Sequence, residues 1–397
     1  MKHVAIVGGG IVGLATAYRL LDTEPRLRVT VLEKEDAVGR HQTSHNSGVL
    51  HCGLHYAPGS TKARLARAGI RMMVEFCIEH DVPHEICGKL VVATEPAELG
   101  RLDALEQRGR ANGLIGLRRL SPAEARDIEP HARSAAALHV PEEGIVDYTA
   151  VARALAAALE AGGAQLRTRA EVRALTERLA GWSIETSAGE LEADLVLTCA
   201  GLHADRVAML AGERPGVRIL PFRGEYYTLR ADRRSLVRNL IYPVPDPSYP
   251  FLGVHFTRMI GGGVEAGPNA VLAFAREGYR RTDVDLADLF DALAFPGLRR
   301  FLARHGRMAA NELARSFSKR RFTDALRRLV PEIEPADLEP GGAGVRAQAM
   351  LPSGELVHDF LILERPRALH LLNAPSPAAT ASLAIGEELA RRVRQRL

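Results

Sequence analysis

The chain has 397 residues, 46% hydrophobic and 25% charged, a composition typical of a globular protein. That length exceeds one ordinary core and predicts two domains. A net charge of +4 is too mild to argue for nucleic acid and fits an acidic small substrate or an anionic surface. In chain order, Val4-Ala5-Ile6-Val7 reads as a strand and Gly8-Gly9-Gly10-Ile11-Val12-Gly13 as a turn opening an apolar helix. Val29-Thr30-Val31-Leu32 reads as a second strand, ending at Glu33. Gly8, Gly10 and Gly13 fill the slots of G-x-G-x-x-G. The first permits a tight turn, the second lets a pyrophosphate approach the backbone, and the third lets helix pack on strand. Glu33 stands where a carboxylate accepts hydrogen bonds from a ribose. Lys2 and the apolar stretch superficially suggest a secretory signal. Glycines interrupt that stretch, Arg19 and Asp22 follow, and no small-residue cleavage site is present. No later apolar run is long enough to span a bilayer, so a cytoplasmic protein is expected. Cys52, Cys77, Cys87 and Cys199 lack C-x-x-C spacing and suggest neither disulfides nor zinc; no metal is expected.

Residues 60–80 carry one apolar face and predict a helix. Leu90-Val91-Val92-Ala93 predicts a strand and 97–112 a charged helix. Ser121-Pro122-Ala123-Glu124 has the N-cap, the proline and the acid of a helix start. Residues 148–161 form an alanine-rich helix ended by Gly162-Gly163, followed by strands near 171–175 and 182–186. Residues 193–201 read as a buried strand breaking into a glycine turn. Residues 217–260 alternate as β-structure with Pro221, Pro243, Pro245, Pro247 and Pro250. Residues 284–330 are helical and basic. A glycine-rich turn is expected at 341–344, a strand at 369–373 and a final helix over 375–397. A nucleotide fold that starts at residue 3, resumes near Gly201 and ends at the C-terminus is discontinuous, which favours flavin over nicotinamide. It resembles FAD-dependent oxidoreductases of the D-amino-acid oxidase group. The resulting expectation is α/β: a Rossmann-like FAD-binding domain (1–85, 145–215 and 335–397) with an inserted β-rich substrate domain plus helices (86–144 and 216–334).

Narrower motifs follow the second strand: 41–51 (HQTSHNSGVLH), Gly53-Leu54-His55-Tyr56, 58–64 (PGSTKAR), 223–227 (RGEYY), 243–247 (PVPDP), 251–257 (FLGVHFT), Gly267-Pro268-Asn269-Ala270, 344–348 (GVRAQ) and 373–382. Together they resemble the L-2-hydroxyglutarate dehydrogenase/oxidase family, nearly end to end. Cys52 departs from the alanine expected there. The resemblance implies FAD-linked oxidation of L-2-hydroxyglutarate to 2-oxoglutarate. Beside the motif residues, it assigns to the cofactor Ile11, Val12, Lys34, Thr43, Ser44, His45, Asn46, Ser47, Gly48, Val172, Ala200, Gly201 and Gly344. In that group the final helix points its N-terminus at the flavin, here from Pro375, Ser376, Pro377, Ala378, Ala379 and Thr380. Its dipole would stabilise negative charge there.

A 2-hydroxy acid needs a cation for its carboxylate and a base for its hydroxyl proton; a dicarboxylate needs a second cation. Arginine binds a carboxylate bidentately, and Arg346 stands where the wider group places such an arginine. Arg64, Arg223, Arg276 and Lys319 compete for the distal carboxylate, with Tyr56 and Tyr227 as further substrate contacts. Histidine suits the base, and His255, His55 and His51 are the candidates. A covalent flavin link through His41, His45 or His51 stays open. With no haem or iron–sulfur ligand set, electrons pass to oxygen or to a membrane quinone. Residues 296–330 interleave ten arginines and lysines with apolar side chains. Both a solvated helix pair and a surface that docks peripherally on an anionic membrane fit that pattern. Two other classes stay open, an FAD amine oxidase of the same fold and a non-catalytic nucleotide-binding protein.

Overall fold

The computed structural model describes residues 1–246 and 253–397; Pro247, Pro250 and the Phe251-Leu252 part of one motif lie outside them. The N-terminal unit folds as the glycine pattern requires. Strand His3–Val7 leads into helix Ile11–Thr23 and returns through strand Arg28–Leu32, which pairs with the first in parallel. These join a six-stranded sheet ordered Leu361–Glu364, Ala368–Asn373, Leu195–Thr198, His3–Val7, Arg28–Leu32 and Gln165–Arg167. Its central strands are buried on both faces and read as continuous apolar runs, as parallel sheets do. The C-terminal helix packs on the first helix so closely that a Cβ at Gly386 would lie 2.7 Å from the Ala15 backbone.

Capping chemistry sets several helix starts. Ser60 accepts from the Ala63 N–H, Asp147 from the Thr149 and Ala150 N–H groups, and Ser121 with Glu124 forms a capping box. A second, larger sheet lies beside the first. It runs from Val271–Leu272 through Arg218–Leu229, Val264–Gly267, His255–Arg258, Leu240–Pro243, Lys89–Ala93 and Ala136–Val140 to Arg118–Leu120. The chain therefore leaves the nucleotide unit twice to build it.

Two C-terminal expectations are corrected. Residues 341–344 form no turn: they belong to strand Leu338–Met350, which pairs antiparallel with Arg218–Leu229 across a bulge. Glycine there serves close approach, since a Cβ at Gly341 would meet the Tyr226 carbonyl at 2.8 Å. This strand extends the second sheet. The final helix starts at Ser382, not near 375, and residues 375–381 wind through turns before it. The basic segment is also rearranged. Of the apolar residues in 296–330, left open between a solvated helix pair and a membrane-docking surface, Leu298, Phe301, Phe322, Leu326 and Leu329 are core residues, while Leu313 and Phe317 are exposed. No helix among the described residues is long and apolar enough to cross a membrane.

Candidate active site

A cavity of about 1060 Å³ runs between the two sheets. At one end its wall is mostly backbone. Gly8 adopts φ +112°, and a Cβ there would lie 2.3 Å from the Cys199 carbonyl oxygen. A Cβ at Gly13 would lie 2.1 Å from the Gly8 carbonyl, so Gly13 serves packing and lies behind the cavity wall. Gly10 differs: its Cβ would meet only the Thr43 hydroxyl, at 3.6 Å. The protein leaves that space open. Helix Ile11–Thr23 begins there with no cap from its own N-cap residue, the Ile11 N–H donating to the Thr43 hydroxyl at 3.0 Å, and Gly10, Ile11 and Val12 line the cavity. Glu33 is buried, accepting from the Gly9 N–H at 2.8 Å and the Glu35 N–H at 3.0 Å.

At the other end the wall is side chains, His51, His55, Tyr242 and His255 among them, backed by a buried ion pair. Lys89 and Glu143 are wholly buried and pair at 2.7 Å. His51 Nδ1 lies 3.5 Å from the same carboxylate, and the Cys52 thiol donates to its other oxygen at 3.3 Å. His55 Nε2 faces Lys89 Nζ at 3.4 Å. Since an ammonium only donates, that nitrogen accepts, and the proton sits on Nδ1, which is buried with no protein partner among the described residues. Lys89 also lies 4.9 Å over the Tyr242 ring, whose opposite partner is the His255 ring, stacked at 3.9 Å. His255 Nδ1 donates to the Gly253 carbonyl at 2.9 Å, which leaves Nε2 as an acceptor. One buried ion pair thus supports three histidines drawn from two distant segments.

Electrostatics separates those histidines. Burial pushes His255 down to about 3, and the Arg346 and Lys89 charges add to it. Burial and Lys89 likewise hold His55 well below the ordinary histidine range. Burial alone would raise the Glu143 carboxyl, but the Lys89 charge and the His51 hydrogen bond more than reverse this and hold it well below the usual carboxylate range. His51 therefore faces a carboxylate that stays charged, whereas the other two face cations. The His51 N–H donates to the Thr380 hydroxyl at 3.1 Å, and that hydroxyl also meets Tyr148 Oη at 2.6 Å. These bonds dock the histidine loop on the segment before the final helix.

A model of FAD-dependent oxidoreductases matches residues 3–392. The chain belongs to that family. It is 49% identical over 385 residues to an L-2-hydroxyglutarate dehydrogenase of Indibacter alkaliphilus, covering 97% of this chain and 96% of that one. It is 44% identical to the enzyme of that name from Escherichia coli, covering 99% and 93%. An L-alpha-glycerophosphate oxidase from Mycoplasma pneumoniae with FAD bound superposes with a TM-score of 0.82 at 24% identity, covering 99% and 95%. The cofactor of this oxidoreductase is FAD, and the glycine end of the cavity fits it. The open space at Gly10 beside the helix start suits a pyrophosphate, and Glu33 lies near it, accepting from the Gly9 N–H. Among the residues expected there, Lys34, Thr43, His45, Asn46, Ser47, Val172, Ala200, Gly201, Gly344 and all of 375–380 also line the cavity. Ser44 is exposed, and Gly48 turns at φ +65° against the Val146 carbonyl; neither reaches it.

At the substrate end, Arg346, His51, His55, Tyr56 and His255 line the cavity. The four cations expected for the distal carboxylate do not. Arg223 is buried against Glu225 at 3.1 Å and the Arg280 carbonyl. Arg276 is buried in a forked pair with Asp205. Arg64 lines a separate surface groove with Arg67 and Glu142, and Lys319 is exposed on helix Lys319–Arg327. Tyr227 packs edge-on against Phe322 instead of entering the cavity. The error at 223–227 is one of parity: successive strand residues alternate faces, and Gly224 and Tyr226 face the cavity. Lys62 and Arg108 also line it. Lys62 sits inside the 58–64 motif, two residues before the arginine chosen. Lys89 and Glu143 carry no sequence signal beyond being charged residues in apolar surroundings.

Proposed function

We propose that this oxidoreductase converts L-2-hydroxyglutarate to 2-oxoglutarate. The supporting observation is that Arg346 and His51, the latter backed by the buried Glu143 carboxylate, line one cavity, in a chain similar end to end to enzymes of that name. When bound, FAD supplies a hydride acceptor. Arg346 binds the carboxylate beside the hydroxyl-bearing carbon and fixes its orientation. His51 takes the hydroxyl proton, and Glu143 stabilises the charge that arrives with it. His55 Nδ1–H offers a hydrogen bond to the substrate, and neutral His255 offers an acceptor. Tyr56 closes the same wall. Anaerobic mixing tests this reading: L-2-hydroxyglutarate bleaches the flavin band near ~450 nm, while glycine and proline leave it unchanged. Bleaching by amino acids alone would turn the reading toward an amine oxidase.

A quinone at a membrane surface is the electron acceptor we favour. Helix Leu286–Ala294 leaves Leu286 77%, Phe290 75% and Leu293 48% exposed on one face, and exposed Arg299, Arg300 and Arg304 follow it. Exposed apolar side chains beside basic ones suit an anionic interface. Sedimentation with anionic vesicles at low salt, and release at high salt, tests it. A protein left in the supernatant, reacting with oxygen as fast as with quinone, is an oxidase without a membrane partner.

A further inference from the structure

A dicarboxylic 2-hydroxy acid presents two carboxylates several bonds apart, so one arginine cannot hold both. Six cationic side chains line the cavity: Lys34, Arg40, Lys62, Arg108, Arg206 and Arg346. Three are committed elsewhere. Lys34 pairs with Glu35 and Glu277, Arg40 with Asp36 and Arg206 with Asp288. Lys62 and Arg108 form no ion pair among the described residues. Lys62 Nζ donates to the His358 carbonyl at 3.3 Å and lies 4.8 Å over the Tyr56 ring. Arg108 donates to the carbonyl of His55 at 3.2 Å. Each is therefore tethered by a neutral acceptor beside the histidine loop and keeps further donors.

We propose that Lys62 and Arg108 form the subsite for the distal carboxylate, the group that separates a dicarboxylic 2-hydroxy acid from a monocarboxylic one. This rests on the reaction proposed above. The position of Lys62 supports it independently of that reaction. Lys62 lies in the first turn of helix Thr61–Glu79, where the helix dipole disfavours a cation and the turn itself carries no acid. Half-burial against Tyr56 adds to the penalty and lowers the ammonium to about 8, and Asp359 offsets this only in part. The Asp359 oxygens already accept from the Thr61 and Phe360 N–H groups. Asp246, the acid at the same end, lies 3.5 Å from Arg101. A ligand carboxylate would complete the charge balance that the protein leaves open.

The test compares 2-oxoglutarate with 2-oxopentanoate, which carries a methyl group in place of the distal carboxylate. Binding to the FAD-loaded protein is measured by titration calorimetry. Lys62→Met and Arg108→Met should each weaken 2-oxoglutarate about 10–100-fold and leave 2-oxopentanoate within about twofold. Lys62→Arg should restore binding. The groups facing Lys62 are Asp359, Tyr56 and the His358 carbonyl. The wild-type KM for L-2-hydroxyglutarate should rise as pH passes about 8, where the ammonium loses its proton, and Lys62→Arg should abolish that rise. Equal losses on both ligands, or an unchanged preference, overturn the subsite. If wild-type flavin is not reduced by L-2-hydroxyglutarate, the proposed reaction fails and the subsite with it. If wild-type reduction is normal while Lys62→Met keeps its preference, the subsite alone fails.

Discussion

At the cofactor end of the cavity, one continuous glycine-rich stretch and the helix start that follows it build the wall from local backbone and leave open space at Gly10. At the substrate end, His51, His255 and Arg346 reach the cavity from separate segments, and a buried Lys89–Glu143 ion pair from two further segments backs the histidines. A wall of local backbone is specified by a short motif and fails only where a side chain is added. A wall of buried charge is specified by the whole fold and fails wherever one partner is removed. Buried ion pairs contribute little net stability when intact and cost much when broken.

The largest effect should therefore come from Lys89→Met. It strands the Glu143 carboxylate and should lower unfolding free energy by about 3–5 kcal/mol, read from urea midpoints. Adding Glu143→Gln should recover much of that loss; no recovery would mean that Lys89 stabilises through packing alone. Next comes Arg346→Ala, expected to raise KM and lower kcat together at a cost of about 2–5 kcal/mol in kcat/KM while FAD stays bound. Near-wild-type kinetics would remove Arg346 from the site. His51→Ala should slow anaerobic flavin reduction about 100-fold. His255→Ala should slow it less, because an imidazole held near 3 is a poor proton acceptor. A reversed order would move the base to His255.

Smaller effects sharpen the contrast at the cofactor end. Gly13→Ala drives a methyl into the Gly8 carbonyl and should cost about 1–3 kcal/mol of stability. Gly10→Ala should leave apo-protein stability within about 0.5 kcal/mol of wild type yet weaken FAD retention, because its methyl occupies space that the protein itself leaves open. Equal behaviour of the two variants would erase the distinction between packing glycine and cofactor glycine. The smallest effect at neutral pH is that of His255, which shows only on acidification. His255 binds its proton near 6.5 when unfolded and near 3 when folded. Its contribution to stability is full above pH 6.5 and lost as pH falls toward 3. His255→Phe, which keeps a ring against Tyr242, should flatten that part of the pH profile.

What the sequence determined by itself was local. The strand, glycine turn, helix, strand and acid of residues 3–33 are legible because each depends on near neighbours, through φ, close approach or period. The helix start at Ser121 shares that property, and the family motifs extended it to FAD. The tertiary structure decided what depends on distant partners. It moved glycines 341–344 from a turn to a strand, because Arg218–Leu229 offered them a partner. It buried Leu298, Phe301, Phe322, Leu326 and Leu329 of the basic segment, because a core was available to cover them, and left Leu313 and Phe317 exposed. It took Arg223 and Arg276 out of the site by giving each a buried carboxylate, and it chose Tyr226 over Tyr227 by strand parity. The pairing of Lys89 with Glu143, 54 residues apart in the chain, has no local signature. Burial makes a charge costly wherever it occurs, but only the fold determines which opposite charge will meet it.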